Sequence, residues 1–86
     1  MASVAEVKAA IETALLHVED GQGAVRAASD RLDEARQSLA LVVDGSAHDA
    51  VHAAQAALAQ ASTELQDCLH ATLNAVESAR GYAATL

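Results

Sequence analysis

The sequence predicts an all-α fold, an antiparallel hairpin of two long helices in a single domain that spans residues 1–86. Three observations support this prediction. The chain contains no proline, and its Ala, Leu, Glu, Gln and Arg residues favour helix almost throughout. Apolar residues recur every seven positions on either side of one central break. The two halves also match in residue size when one is laid antiparallel against the other.

The central break divides the chain into two helices. The predicted elements are helix 1 over about residues 3–43, a turn at 44–46 and helix 2 over about residues 47–83. Gly45 can adopt the left-handed conformation that ends a helix. Ser46, followed three positions later by Asp49, is a short form of the capping box that starts the next helix. Gly21 and Gly23 weaken helix 1, but the seven-residue spacing keeps its phase across them, so we expect a continuous helix with a bend.

Two stripes of residues define the expected contact between the helices. The bulky stripe consists of Val4, Ile11, Val18, Val25, Leu32 and Leu39, then Val51, Leu58 and Leu65, continued by Thr72 and Ala79. The small stripe lies three positions later and consists of Val7, Ala14, Gly21, Ala28, Ala35 and Val42, then Ala54, Ala61, Cys68, Ala75 and Tyr82. Both stripes are predicted to pack between the helices. Cys68 would then be a buried small hydrophobe opposite Gly21.

Two helices lined largely by alanine leave apolar surface exposed, so the hairpin is expected to need a partner. Dimerisation into a four-helix bundle is the predicted solution, with a second copy of the chain or another small helical protein. The candidate partner interface consists of apolar residues outside the two stripes, namely Leu16, Leu41, Leu69, Leu73 and Val76.

The charge balance excludes several classes of partner. Twelve Asp and Glu against five Lys and Arg give a net charge of −7, which argues against nucleic acid and anionic membranes. No apolar run approaches the roughly 18 residues of a membrane span. The first residues lack the basic and apolar segments of a cleaved signal peptide. We therefore expect a cytoplasmic protein, or one secreted without such a peptide.

Two groups of residues have the spacing of metal ligands. Asp67 and His70, with Glu19 predicted opposite, resemble part of the Glu and Glu-x-x-His set of di-iron bundles. His48 and His52 share a helix face as in the zinc motif H-E-x-x-H, although Asp follows the first histidine and no third ligand follows the second. Both groups are interpreted as solvated polar residues. Because two helical rods offer no pocket, we expect no enzymatic activity, metal, cofactor or small-molecule substrate.

An acidic, Ala-rich hairpin of 86 residues resembles the small Esx-like (WXG-type) proteins of type VII secretion systems. The resemblance is one of architecture over the whole chain. The family has Trp-x-Gly at its turn, where this chain has Asp44-Gly45-Ser46, and Tyr82 lacks the acidic residue that the family has four positions later. The resemblance implies a secreted pair of hairpins that acts by binding. The alternatives are a cytosolic scaffold or adaptor completed by a partner helix, and a metal-binding, ferritin-like hairpin dimer.

Overall fold

The computed structural model describes residues 1–43 and 48–86. Two helices account for nearly all of them, α1 at Val4–Val43 and α2 at Asp49–Ala84. The described ranges contain no strand. The prediction of an all-α helical hairpin is confirmed, and the predicted turn at 44–46 lies outside the described residues.

Side chains just before each helix cap its first turn. Ser3 Oγ accepts a hydrogen bond from the Glu6 backbone N–H at 3.1 Å, and this satisfies one of the amides that a helix start leaves without a partner. At the start of α2, His48 is the N-cap, and its Nδ1 accepts from the Ala50 N–H at 3.1 Å. Helix 2 therefore begins two residues later than the sequence pattern predicts.

The glycine pair near the middle of α1 does not interrupt the helix. α1 continues through Gly21 and Gly23, and neither glycine has a positive φ. A Cβ atom placed on either residue would meet no other atom within 4 Å. Neither the backbone conformation nor the packing of the hairpin therefore requires glycine at these positions.

The two helices run antiparallel along a rod. Gln22 in α1 is hydrogen-bonded to Thr72 in α2, and Arg36, later in α1, is hydrogen-bonded to Gln55, earlier in α2. Residues later in α1 therefore contact residues earlier in α2. The rod measures 64 × 17 × 15 Å. Its length agrees with the roughly 60 Å expected of a 40-residue helix.

This rod buries little of its own surface. An unfolded chain of 8.8 kDa exposes about 12,800 Å², and the folded hairpin still exposes 6041 Å², so folding buries only about half. Among the described residues Leu15 is the one buried apolar side chain, at 5% exposure. The remaining apolar contacts between α1 and α2 are half-buried, because a second helix covers only one side of each helix.

Candidate interaction surface

The bulky stripe lies between α1 and α2. Its half-buried members are Ile11, Val18, Val25, Leu32 and Leu39 in α1 and Val51, Leu58, Leu65, Thr72 and Ala79 in α2. Val4, the first member, is exposed at the open end of the hairpin. The seven-residue spacing of these positions holds along the whole contact, so each stripe keeps to one side of its helix.

The small stripe of α1 packs between the helices only in part. Val7 and Ala35 are half-buried, whereas Ala14, Gly21, Ala28 and Val42 are exposed, so for these four residues the prediction is wrong. The most deeply buried residues of the contact lie four positions after the bulky ones, beginning with Leu15 and Gln22. Longer side chains fill the space between two helix axes, which usually lie about 8–10 Å apart, better than methyl groups do.

The small stripe of α2 divides in the same way, with Ala54 and Ala61 half-buried and its later members exposed. Leu69 and Val76, predicted as partner contacts, are half-buried at positions four after Leu65 and Thr72. Cys68, predicted as a buried thiol, is exposed. Ala75 and Tyr82 are exposed with it, because each lies about 100° around the helix from the residue that enters the contact.

Polar side chains occupy several layers of the helix contact. Gln22, which is 6% exposed, donates from Nε2 to Thr72 Oγ1 at 3.1 Å. Gln55 Nε2 donates to the Arg36 carbonyl oxygen at 2.9 Å. Ser62 is 8% exposed, and its Oγ finds no hydrogen-bond partner in the described part of the chain. An unsatisfied buried hydroxyl costs about 1–3 kcal/mol, so this contact stabilises the hairpin less than its length suggests.

Replacement of the unsatisfied hydroxyl is expected to stabilise the hairpin. Ser62→Ala removes a buried polar group without a partner and improves helix propensity, which should raise the free energy of unfolding by about 1–2 kcal/mol. Urea denaturation followed by circular dichroism measures the change. Ser78→Ala is the matched control because Ser78 is exposed in the same helix. An equal gain in the two variants would mean that burial of the Ser62 hydroxyl carries no cost.

The two long sides of the hairpin differ in polarity. On one side Arg80 Nη2 lies 3.5 Å from Glu19 Oε1 across the helices. The same side has a polar groove lined by Asp33, Arg36, Gln37, Ala40 and Gln55. Both partners of the Arg80–Glu19 pair are exposed, so it contributes no more than about 1 kcal/mol. We call this the charged side.

The other side carries the exposed small stripe and an apolar groove. The groove is lined by Ala28, Leu32, Ala61 and Leu65, with Arg31 and Glu64 at its edges. It is an open depression of about 570 Å³. We call it the alanine groove, and it is the candidate interaction surface. The sequence signal for it is the small stripe itself, which the seven-residue pattern predicts to lie within the contact of one hairpin.

The other predicted partner contacts lie on two different parts of the hairpin surface. Leu16, Leu41 and Leu73 are exposed. By helical register Leu16 and Leu73 belong to the charged side, whereas Leu41 lies on the outer face of α1 near its end. That these three residues contact a partner stays a prediction.

The predicted metal ligands are not brought together in one hairpin. Across residues 1–43 and 48–86, no group of three or more His, Cys, Asp or Glu side chains could hold a metal ion. Glu19 pairs with Arg80 and is not clustered with Asp67 and His70. His48 caps α2 through Nδ1, and His52 is exposed one turn later.

Comparisons of this chain with protein-family models, curated proteins and solved structures found no match. Neither helix, over the residues described, is long and apolar enough to cross a membrane. Functional interpretation therefore depends on the geometry of the hairpin itself.

Proposed function

We propose that this chain is a protein-interaction module without enzymatic activity, a helical hairpin whose fold is completed when a helical partner covers the alanine groove. The observation that carries the proposal is the excess of exposed surface. A compact monomer of 8.8 kDa exposes about 4,800 Å², so at 6041 Å² this hairpin exposes roughly 1,200 Å² more. Specific interfaces cover about 800 Å² on each partner, so the excess is large enough for one.

The weak interior of the hairpin supports the same proposal. Leu15 is the single buried apolar side chain among the described residues, and Ser62 buries an unsatisfied hydroxyl. A single core in a chain of this size supplies only about 3–5 kcal/mol even when well packed. A partner that covers the groove adds buried apolar area at about 25 cal/mol per Å².

The most specific form of this proposal is an Esx-like component of a type VII secretion system. It is supported by the architecture, two antiparallel helices of 40 and 36 residues. The alternative is a cytosolic scaffold or adaptor completed by a partner helix. Secretion into the culture medium by the native host distinguishes the two, because the adaptor stays in the cell.

The proposal predicts that the isolated chain either associates or is barely stable. Sedimentation equilibrium gives the mass of the chain in solution. Thermal melting over a hundredfold range of protein concentration shows whether its stability depends on association. For a dimer of this size we expect the melting temperature to rise by about 5–10 °C across that range. For a chain that pairs only with another protein, we expect a monomer with a broad, low-temperature transition.

One result would overturn the proposal. It is a monomer that melts cooperatively at about 45–65 °C, as ordinary small domains do, at the same temperature at every concentration. Such a hairpin would need no partner to complete its fold.

A further inference from the structure

The alanine groove belongs to a side of the hairpin that is almost free of charge. This side comprises the small stripe and the neighbouring outer row of positions, which lie four residues before and three residues after the members of the stripe. Ala24 and Arg31 in α1 and Ala57 and Glu64 in α2 are examples of this outer row. Among the described residues at these positions, Arg31 and Glu64 are the ones from the group Lys, Arg, Asp and Glu. The other acidic and basic residues of the helices lie elsewhere, although the net charge of the chain is −7. Such segregation is unlike a surface that only faces water.

The two charges stand on opposite edges of the groove. Arg31 is an exposed residue of α1 and Glu64 an exposed residue of α2, and both line the same depression. They therefore lie at similar heights along the rod. Glu64 Oε1 accepts a hydrogen bond from Gln60 Nε2, one turn earlier in α2, at 3.2 Å. Its partner within the hairpin is thus a neutral side chain, and its charge is left for an external cation.

We infer that the occupant of the alanine groove is a second copy of this chain, related by a two-fold axis parallel to the rods. This inference rests on the proposed function and names its partner. This rotation places α1 against the partner's α2 and leaves the position of each residue along the rod axis unchanged. Each Arg31 then lies beside the partner's Glu64 at the outer edge of the interface, so the dimer contains two equivalent Arg31–Glu64 ion pairs.

The groove fits helices that approach closely. Ala28 and Ala61 present only methyl groups to it, and the exposed small residues Gly21, Cys68, Ala14 and Ala75 continue this surface towards the open end. Small side chains allow interaxial distances near the lower end of the usual range of about 8–10 Å. If each hairpin covered its roughly 1,200 Å² of excess exposed surface, the dimer would bury about 2,400 Å² of surface in total. This area is within the range of obligate homodimers.

A charge-reversal cycle tests the identity and the orientation of the partner. Arg31→Glu places acidic residues opposite each other at two sites, and Glu64→Arg places basic residues there. Each single variant is expected to raise the dimer dissociation constant about 10- to 30-fold, and the double variant to return it to within about threefold of wild type. Sedimentation at graded concentrations measures all four proteins. Equal affinities throughout, or additive losses in the double variant, would contradict the proposed arrangement.

A second pair of variants tests the groove without relying on that ion pair. Ala28→Glu puts a carboxylate on the groove surface, and Ala40→Glu makes the same change at an exposed position of α1 on the charged side. We expect Ala28→Glu to raise the dissociation constant more than 100-fold while Ala40→Glu leaves it within about threefold. Circular dichroism at high concentration shows that both variants form helix.

The outcomes separate this inference from the proposed function. A wild-type dimer that is unaffected by Ala28→Glu would overturn the groove as the interface in both proposals and leave an interaction module that uses another surface. A barely stable wild-type monomer would overturn the second copy as occupant, and the module would then pair with a different protein. A stable monomer would overturn both.

Discussion

Leu15→Asp is expected to abolish the cooperative unfolding transition of the hairpin. Leu15 is the single buried apolar side chain of the described residues. Loss of a buried leucine costs about 2–5 kcal/mol, and the introduced carboxylate must in addition be desolvated or must open the contact to water. The sum matches or exceeds the stability that one small core supplies, about 3–5 kcal/mol. Far-UV circular dichroism should show low helicity and no sigmoidal melting curve.

The next residue provides the control for this variant. Leu16→Asp makes the same substitution one position along α1, where the side chain is 61% exposed. It should keep the wild-type helicity and melt within a few degrees of the wild type, because little apolar burial is lost. If the two variants behaved alike, the assignment of Leu15 and Leu16 to the inside and the outside of the hairpin would be wrong.

The second large effect is a gain in stability. Gly21→Ala combined with Gly23→Ala should raise the free energy of unfolding by about 2 kcal/mol, since alanine favours the helix interior by about 1 kcal/mol at each position. Both glycines have helical backbone angles, and the added methyl groups meet nothing within 4 Å. For a chain of this size the melting temperature should rise by about 8–15 °C.

Differential scanning calorimetry of the single and double variants measures this gain. Ala24→Gly is the reverse control, at an exposed position of the same helical turn, and it should lower the free energy of unfolding by about 1 kcal/mol. A double variant that melts no higher than the wild type would show that the glycines serve a conformation other than the straight helix.

The helices and their antiparallel packing could be predicted from the sequence because that information is local and periodic. Proline is absent, Val18 and Leu58 belong to regular seven-residue series, and the single strong break lies between them. The start of α2 was harder to predict. His48 acts as the N-cap through Nδ1, a role for which Ser, Thr, Asp and Asn are the usual residues.

The side of the helix that flanks the bulky stripe could not be predicted in the same way. In a seven-residue repeat, the second contact position can lie three or four residues after the bulky one. The residues three positions later, such as Ala14 and Cys68, are the more apolar, so the sequence favours the former spacing. The structure buries the latter most deeply, and there Gln22 and Gln55 each donate a side-chain N–H to an acceptor on the facing helix. The rule that polar residues stay outside fails wherever a partner for the hydrogen bond lies on the facing helix.

Periodicity also leaves open which surface an apolar series faces. Ala28 and Ala61 belong to an apolar series as regular as that of Leu32 and Leu58, and periodicity does not state which surface a series faces. If a partner covers the alanine groove as proposed, both series would be apolar for the same physical reason. Only the positions of the helices separate the contact made within one chain from the surface left beside it.

The distribution of contacts along the rod bears on how the chain folds. Gln55 and Arg36 are 19 residues apart in sequence, whereas the Gln22–Thr72 hydrogen bond, near the middle of the rod, joins residues 50 apart, and Leu15 lies still further towards the open end. Closing the longer loop costs about 1 kcal/mol more in chain entropy. If the helices pair from the turn outwards, each added layer costs further chain entropy before the best-buried residue, Leu15, is packed. Partly zipped forms should not accumulate, and the arms should close and open as one kinetic unit.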